Sequence, residues 1–499
     1  MLRFLATALL ASALLTGSAA AQVLDETMVP RGQLRLQAHP TFSAWDSRFG
    51  RAADGTEREE ELASDLTDSM GVALFPGIRT MADLLEGVSG TTGYAPGIGA
   101  TAGRMTQNVT RIDFGGHLGV FDWLTIGVVV PWMRTRSAVD VAFRPDSLTA
   151  TLGINPTLTD PAAVSGYLGA LGSAAASADA YAASACAGGP SATCTSAQAL
   201  ASRATGFRDT FQGAYAASPF FPLAGTPMAT ALAQAAASLD VDLTAAGLSG
   251  IILPVAVASQ LVTNESFREL PVTAGAGIEG SRLAPRTSLW QTGDVEVSAL
   301  LRLLELHDSS PETGAQPIAR LVAGFVVRLP TGIPEDPDVF LDLGHGDGQT
   351  DLEGRLSGWV RLGRLSLAAG GRYGVQRETT VTKRIAAPEV PMPPLSTRAE
   401  ATWRPGSYLG IDVAPSLRLT EELWLVGEYR YFQKDRDELE LLQPGLGLDP
   451  MILTAESGVK AHRIGGGLRF GTVEKWAAGR APTPFELHLR SSWFSASSA

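Results

Sequence analysis

Arginine and carboxylate side chains recur in the alternating segments of the second half of this chain, and this pattern is where its chemistry could reside. Arg302, Arg355, Arg361, Arg364, Arg372, Arg418, Arg430, Arg463, Arg469 and Arg490 form the basic set, and Asp294, Glu296, Asp351, Glu353, Asp412, Glu428 and Glu486 face or neighbour them. Guanidinium and carboxylate groups that share an enclosed face must pair or stay hydrated. Two uses follow: a structural network that fills an interior, or a hydrated pathway lined with fixed positive charge. The residues expected to line such an interior are Arg355, Arg361, Arg364, Arg372, Asp412, Arg418, Glu428, Arg430, Arg463 and Arg469.

Other reactive runs read differently. Asp336, Asp338, Asp342, Asp347 and Asp351 cluster among glycines. Oxygen-rich loops can hold calcium, but this spacing does not fit an EF-hand, so an acidic outer loop is expected and no metal site. His307, Asp308 and Ser309 are the residue types of a hydrolase triad. Adjacent residues cannot converge on one reacting atom, so the run reads as a turn. No phosphate loop, metal motif or nucleophile elbow is present, so neither an enzyme nor a cofactor is expected. A net charge of −12 without a basic block argues against a nucleic-acid partner.

The polar sets are positioned by strands. Leu365, Leu367, Ala369, Gly371, Tyr373 and Val375 alternate with Arg364, Ser366, Arg372 and Gln376. A strand turns successive side chains to opposite faces, so this stretch has one apolar and one polar wall. The same alternation sets Leu409, Ile411, Val413, Leu417 and Leu419 against Asp412, Ser416 and Arg418. It sets Leu352, Leu356, Val360 and Leu362 against Asp351, Glu353, Arg355 and Arg361.

Strands are expected near 33–45, 104–120, 124–144, 294–306, 318–330, 351–362, 364–381, 401–419, 423–439, 459–470 and 485–493. Pro131 implies a bulge or the end of regular pairing at its position. Short turns at Asp122, at Gly363 and at Thr420–Glu422 alternate with long connections, the asymmetry of bacterial outer-membrane barrels.

Export is written at the start of the chain. Met1 to Arg3 supply a positive n-region, Phe4 to Leu15 an apolar core, and Ala19 to Ala21 a cleavage site before Gln22. Beyond it no apolar run approaches the ~18 residues of a membrane helix. Cys186 and Cys194 are the only cysteines and flank Gly188, Gly189 and Pro190. In an oxidising compartment they are expected to form a disulfide, and two cysteines alone argue against a zinc site.

Two inserts interrupt the strands. Residues 47–97 carry the acidic run Glu57 to Glu61 and a helix through Met81–Glu86, and residues 145–285 are Ala-rich, with helix-like stretches near 162–185, 197–217 and 228–238. The expected organisation is a signal peptide (1–21), N-terminal strands with an outer insert (22–144), a helical outer or mouth-capping insert (145–285) and C-terminal strands (286–499). Trp45, Trp132, Trp403, Tyr408, Tyr429, Tyr431 and Trp493 are candidates for interfacial aromatic girdles.

Four segments carry a family resemblance: 119–131 (GVFDWLTIGVVVP), 328–332 (RLPTG), 342–351 (DLGHGDGQTD) and 461–468 (AHRIGGGL). They resemble the transporter-like outer-membrane barrels grouped with the meta-pathway of phenol degradation, themselves distantly similar to fatty-acid and aromatic-hydrocarbon channels. The resemblance covers the strands and not the Ala-rich insert. It implies passive passage of small hydrophobic or aromatic solutes.

The sequence thus points to an all-β fold: an antiparallel transmembrane β-barrel of about twelve strands with a large Ala-rich helical insert, in the outer membrane. Its expected partners are membrane lipid and a small-molecule solute; nothing sets the oligomeric state. The alternative is a closed structural or surface-recognition barrel that binds a partner through the insert. Eleven segments are legible, so either a twelfth lies near 69–74 or within 250–290, or the wall stops short. With a twelfth strand present, 33–45 should pair with 485–493 to close the wall.

Overall fold

The computed structural model describes residues 28–498, apart from 52–56, 73, 145–148, 251–252, 308–316, 388–389, 391, 456 and 478. The signal segment and Asp308 and Ser309 lie outside the described residues.

One fourteen-stranded antiparallel sheet dominates, and eleven of its strands form a continuous path in chain order. We number these β1 (Leu34–Trp45), β2 (Gly97–Phe121), β3 (Leu124–Arg144), β4 (Glu296–His307), β5 (Pro317–Arg328), β6 (Asp351–Leu362), β7 (Leu365–Gln376), β8 (Tyr408–Arg418), β9 (Leu423–Lys434), β10 (Val459–Gly471) and β11 (Glu486–Ser498). Most carry branched or aromatic residues at alternate positions, and several are bounded by Gly, Asp or Pro turns. Gly363 illustrates the turn chemistry. It takes φ 66° in the two-residue turn between β6 and β7, a conformation that costs glycine nothing.

Two expected segments are each split. The span 364–381 becomes β7 and a separate strand Thr379–Arg384, and 401–419 becomes Arg398–Arg404 and β8. Thr379–Arg384, Arg398–Arg404 and Glu438–Leu441 build a small three-stranded sheet at the long-loop end. Pro405 and Gly406 separate the two strands of the second span, where proline cannot donate to a ladder. Pro131 causes no bulge against β2, where it pairs in register with Asp113. The ladder between β3 and β4 ends at Val129, just before it.

Among the described residues no twelfth strand of the path lies in either proposed place. Asp68–Gly71 pairs with the outer end of β2, while Arg286–Thr287 and Gln291–Thr292 pair with β3. None of these lies between β1 and β11. Because every neighbouring pair along the path is antiparallel, the first and last of eleven strands run in the same direction. No ladder joins them among the described residues. The sheet nevertheless curls until they meet, since Arg35 on β1 lies 3.4 Å from Glu486 on β11.

At the long-loop end the two inserts share one apolar core. Helix α1 (Gly77–Ser89) contributes Ile78, Met81 and Leu85, and α2 (Pro161–Ala185), α3 (Ala192–Ala217) and α4 (Pro227–Ala245) contribute Leu171, Phe211 and Leu239. Alanine is abundant on the facing sides of α2 and α3, at Ala174, Ala178, Ala201 and Ala204, so their backbones approach closely. Asp160 and Ser191 cap their N-termini through hydrogen bonds to Ala163 and Cys194 amides. Cys186 and Cys194 are joined in a disulfide that closes the hairpin between them, with Cα atoms 4.7 Å apart.

Met105, Val139 and Val141 extend this core onto β2 and β3. There the outward residues become polar: Arg134, Arg136 and Asp140 are exposed. The apolar outer face of these two strands therefore stops near Trp132.

Candidate functional site

The sheet has an inverted polarity. On β8, Leu409 and Ile411 are 39% and 41% exposed while Asp412, next in the chain and on the opposite face, is fully buried. On β7, Leu365, Leu367, Tyr373 and Val375 are exposed and Arg372 is buried. Leu34, Leu36 and Phe42 on β1, and Leu487, Leu489 and Trp493 on β11, continue the apolar outside. A water-soluble sheet places charge outside; here the charged side chains are held within and aliphatic ones surround them.

Ion pairs run around the inner face from strand to strand. Arg111 donates to Asp113 at 2.6 Å on β2. Arg328 on β5 bridges Glu296 on β4 (3.1 Å) and Asp351 on β6 (2.5 Å). Glu353 on β6 receives Arg355 and the Tyr408 hydroxyl (2.6 Å), with Arg372 at 3.8 Å. Arg430 on β9 joins Asp412 and Glu428 (3.0 Å), and Arg490 on β11 lies 3.7 Å from Glu428. Glu486 receives Arg469 and meets Arg35, which carries the series back to β1. Buried charges of this kind need partners, and removal of one member leaves the other uncompensated.

The packing that admits these long side chains depends on glycine. Arg372 stands opposite Gly410, and Tyr408 opposite Gly374. A Cβ at Gly410 would sit 2.4 Å from Arg372 Nε, and one at Gly374 would sit 2.1 Å from the Tyr408 ring. Arg372 also lies over the Tyr408 and Phe432 rings at 5.9 and 5.8 Å, and Arg469 over Trp424 at 4.9 Å.

Of the residues expected to line the interior, Arg355, Arg372, Asp412, Glu428 and Arg430 are buried together on the charged face. Arg463 is half-buried opposite Arg430. Arg361 lies 5.8 Å from the Trp359 ring, and Arg418 donates to the Thr420 carbonyl at 3.3 Å beside a short turn. Arg364 departs from the expectation: it is exposed in the turn after Gly363, where its carbonyl accepts from the Arg418 amide.

The sequence reading missed Arg328 and Tyr408 as members, and the pair of Arg320 on β5 with Glu305 on β4 at 2.5 Å. Arg320 and Arg328 share a parity on β5 with Val322 and Val326, which masks the polar face. Several expected girdle residues also belong elsewhere. Trp132, Tyr429 and Trp493 are exposed on the apolar face. Trp45 instead donates inward to Gln107 at 3.0 Å, Tyr408 belongs to the charged face, and Trp403 is buried in the small outer sheet.

Arginines tie the acidic loop. Asp338 pairs with Arg384 (2.8 Å) and Arg398 (3.1 Å), and Asp351 with Arg328. Among the described residues no group of His, Cys, Asp and Glu is placed to hold a metal ion. Asp294 accepts amide hydrogen bonds from Gly332 (2.8 Å) and Asp347 (3.3 Å). Burial, followed by the charges of Asp351 and Asp294, pushes the Asp347 carboxyl up to about 7.

No family model matches the chain, and no curated protein matches it. Among solved structures it is similar to an outer-membrane channel from Pseudomonas putida F1, at 8% identity over 94% of this chain and 97% of that one, with a TM-score of 0.37. It is also similar to the CymD monoaromatic hydrocarbon channel, at 9% identity over 95% of this chain and 89% of that one, with a TM-score of 0.26.

Proposed function

We propose that this chain is an outer-membrane β-barrel that passes small molecules passively. The observation that carries the reading is the inverted polarity: Leu409 and Ile411 outside and Asp412 within, repeated along the path. Hydrocarbon is the solvent that favours such an outer face, and a sheet that encloses its own charges is how a chain can present it. In this reading residues 22–144 and 286–499 supply the wall, the short turns face the periplasm, and 145–285 caps the outer mouth. The wall closes by parallel contact of β1 and β11.

Passage would run along the arginine and carboxylate side chains, which exchange partners as a solute moves past. A solute of the hydrophobic or aromatic class implied by the sequence resemblance must then carry a polar group to compete for Arg372, Arg430 or Arg463. Reconstitution into planar bilayers tests the reading: single-channel current is expected, and its absence in correctly inserted protein would rule transport out.

One observation favours a second reading. Asp113 and Asp412 are fully buried, and Arg372 and Arg430 nearly so, at 3% and 4% exposure. In this reading side chains this enclosed fill the interior at their level, as a purely structural or recognition barrel requires. Arg372→Ala with Arg430→Ala separates the two: conductance that rises in the double variant supports a gated channel, and conductance that stays at zero supports the closed barrel.

A further inference from the structure

A cavity of about 390 Å3 lies at the long-loop end, outside the charged inner face. One wall is the acidic loop, through Pro334, Glu335, Asp336 and Gly344 to Gly348. The other is the strand Thr379–Arg384, of which Thr379, Thr380, Val381, Thr382 and Lys383 all line the space. Successive side chains of a strand point to opposite faces, so five consecutive residues meeting one cavity bring the strand's edge to it, with Arg398 and Trp403 of the paired strand completing the wall. That edge is free. The strand pairs with Arg398–Arg404 on one side alone, and no backbone hydrogen bond links it to the loop among the described residues.

The walls are held at fixed separation by ion pairs. Lys383 reaches Glu335 at 2.6 Å, and Asp338 takes both Arg384 and Arg398. These pairs neutralise the cations that line the cavity. Asp336 and Asp347, which also line it, form no ion pair among the described residues. The space therefore offers a strand edge on one side and, on the other, the carboxyl groups of Asp336 and Asp347, of which Asp347 also accepts from the Gln349 amide (3.0 Å) and Gln376 (3.3 Å). Its size is at the low end for small-ligand sites, about 300–1,000 Å3.

We propose that this cavity binds a short extended peptide with a free ammonium group, added as a strand along the open edge of Thr379–Arg384. Backbone amides of the peptide satisfy the edge, and its ammonium satisfies the carboxylates. A hydrophobic solute would leave both unmet. The site is independent of whether the bore conducts.

The test uses full-length protein in detergent micelles and tri-alanine with a dye on its C-terminal amide, read by fluorescence anisotropy. Binding should be seen, and N-acetylation of the peptide should weaken it about tenfold, as should Asp336→Asn with Asp347→Asn. In an antiparallel pair the amides of alternate residues face opposite sides, so either Thr380→Pro or Val381→Pro removes a donor that faces the cavity. One of the two should abolish binding while heat-modifiable migration of the barrel is retained. Absence of binding, equal binding of the acetylated peptide, or binding that survives both prolines would overturn the proposal. The acetylation arm uses unaltered protein, so it decides even if a variant fails to fold.

Discussion

Arg35 and Glu486 lie 3.4 Å apart although 451 positions separate them, and they join the first and last strands of the wall. The charges of Arg490 and His488 also reach His39, four residues further along β1. If the wall closes this way, Arg35→Cys with Glu486→Cys should form an intramolecular cross-link with a short bis-maleimide. Failure to cross-link in folded protein would mean that the seam stands open.

Substitution on the outer face should separate a lipid-embedded wall from a soluble sheet. Ile411→Arg is expected to destabilise the inserted protein by about 2–4 kcal/mol if it sits near the bilayer midplane. Urea unfolding from lipid vesicles measures this. A soluble sheet would tolerate the change with a cost near zero, since Ile411 is 41% exposed.

The charged face should respond in the opposite sense. Asp412→Ala leaves Arg430 buried, although Glu428 still holds it at 3.0 Å. A cost of about 3 kcal/mol is expected, the lower end for breaking a buried pair. Asp412→Ala combined with Arg430→Leu should recover part of it in the same unfolding assay.

Asp347 should make the acidic loop sensitive to pH. Its carboxyl is raised to about 7 from an ordinary value near 3.8. A group raised in the folded state prefers its proton there, so stability is greatest below the unfolded value and falls as pH rises towards 7. Proteolysis of residues 331–350 should therefore be slower at pH 5 than at pH 8. Asp347→Asn should flatten this difference; an unchanged pH profile would assign it to other groups.

Reduction of the Cys186–Cys194 bond should act locally. The bond closes a short loop between α2 and α3, and its loss is expected to cost about 2 kcal/mol. Limited proteolysis under reducing conditions should cut near Gly188 and Gly189. Heat-modifiable migration of the wall should not change, since the hairpin is anchored to the apolar core of the inserts.

Alternation of side chains determined most of the wall by itself. The faces of Leu409, Ile411 and Asp412 follow from strand parity alone, because a strand cannot turn two adjacent side chains the same way. The charged set and the helical stretches of the inserts were likewise local properties, legible from spacing and composition. Contacts between distant segments were not. That Arg328 bridges Glu296 and Asp351, that Tyr408 turns in to Glu353 through the space left by Gly374, and that Trp403 leaves the wall for a separate outer sheet all depend on register between strands. So does the meeting of Arg35 with Glu486. Parity assigns a face to each residue, whereas register and sheet curvature, which arise only when the whole chain is assembled, decide which charges on that face share a partner.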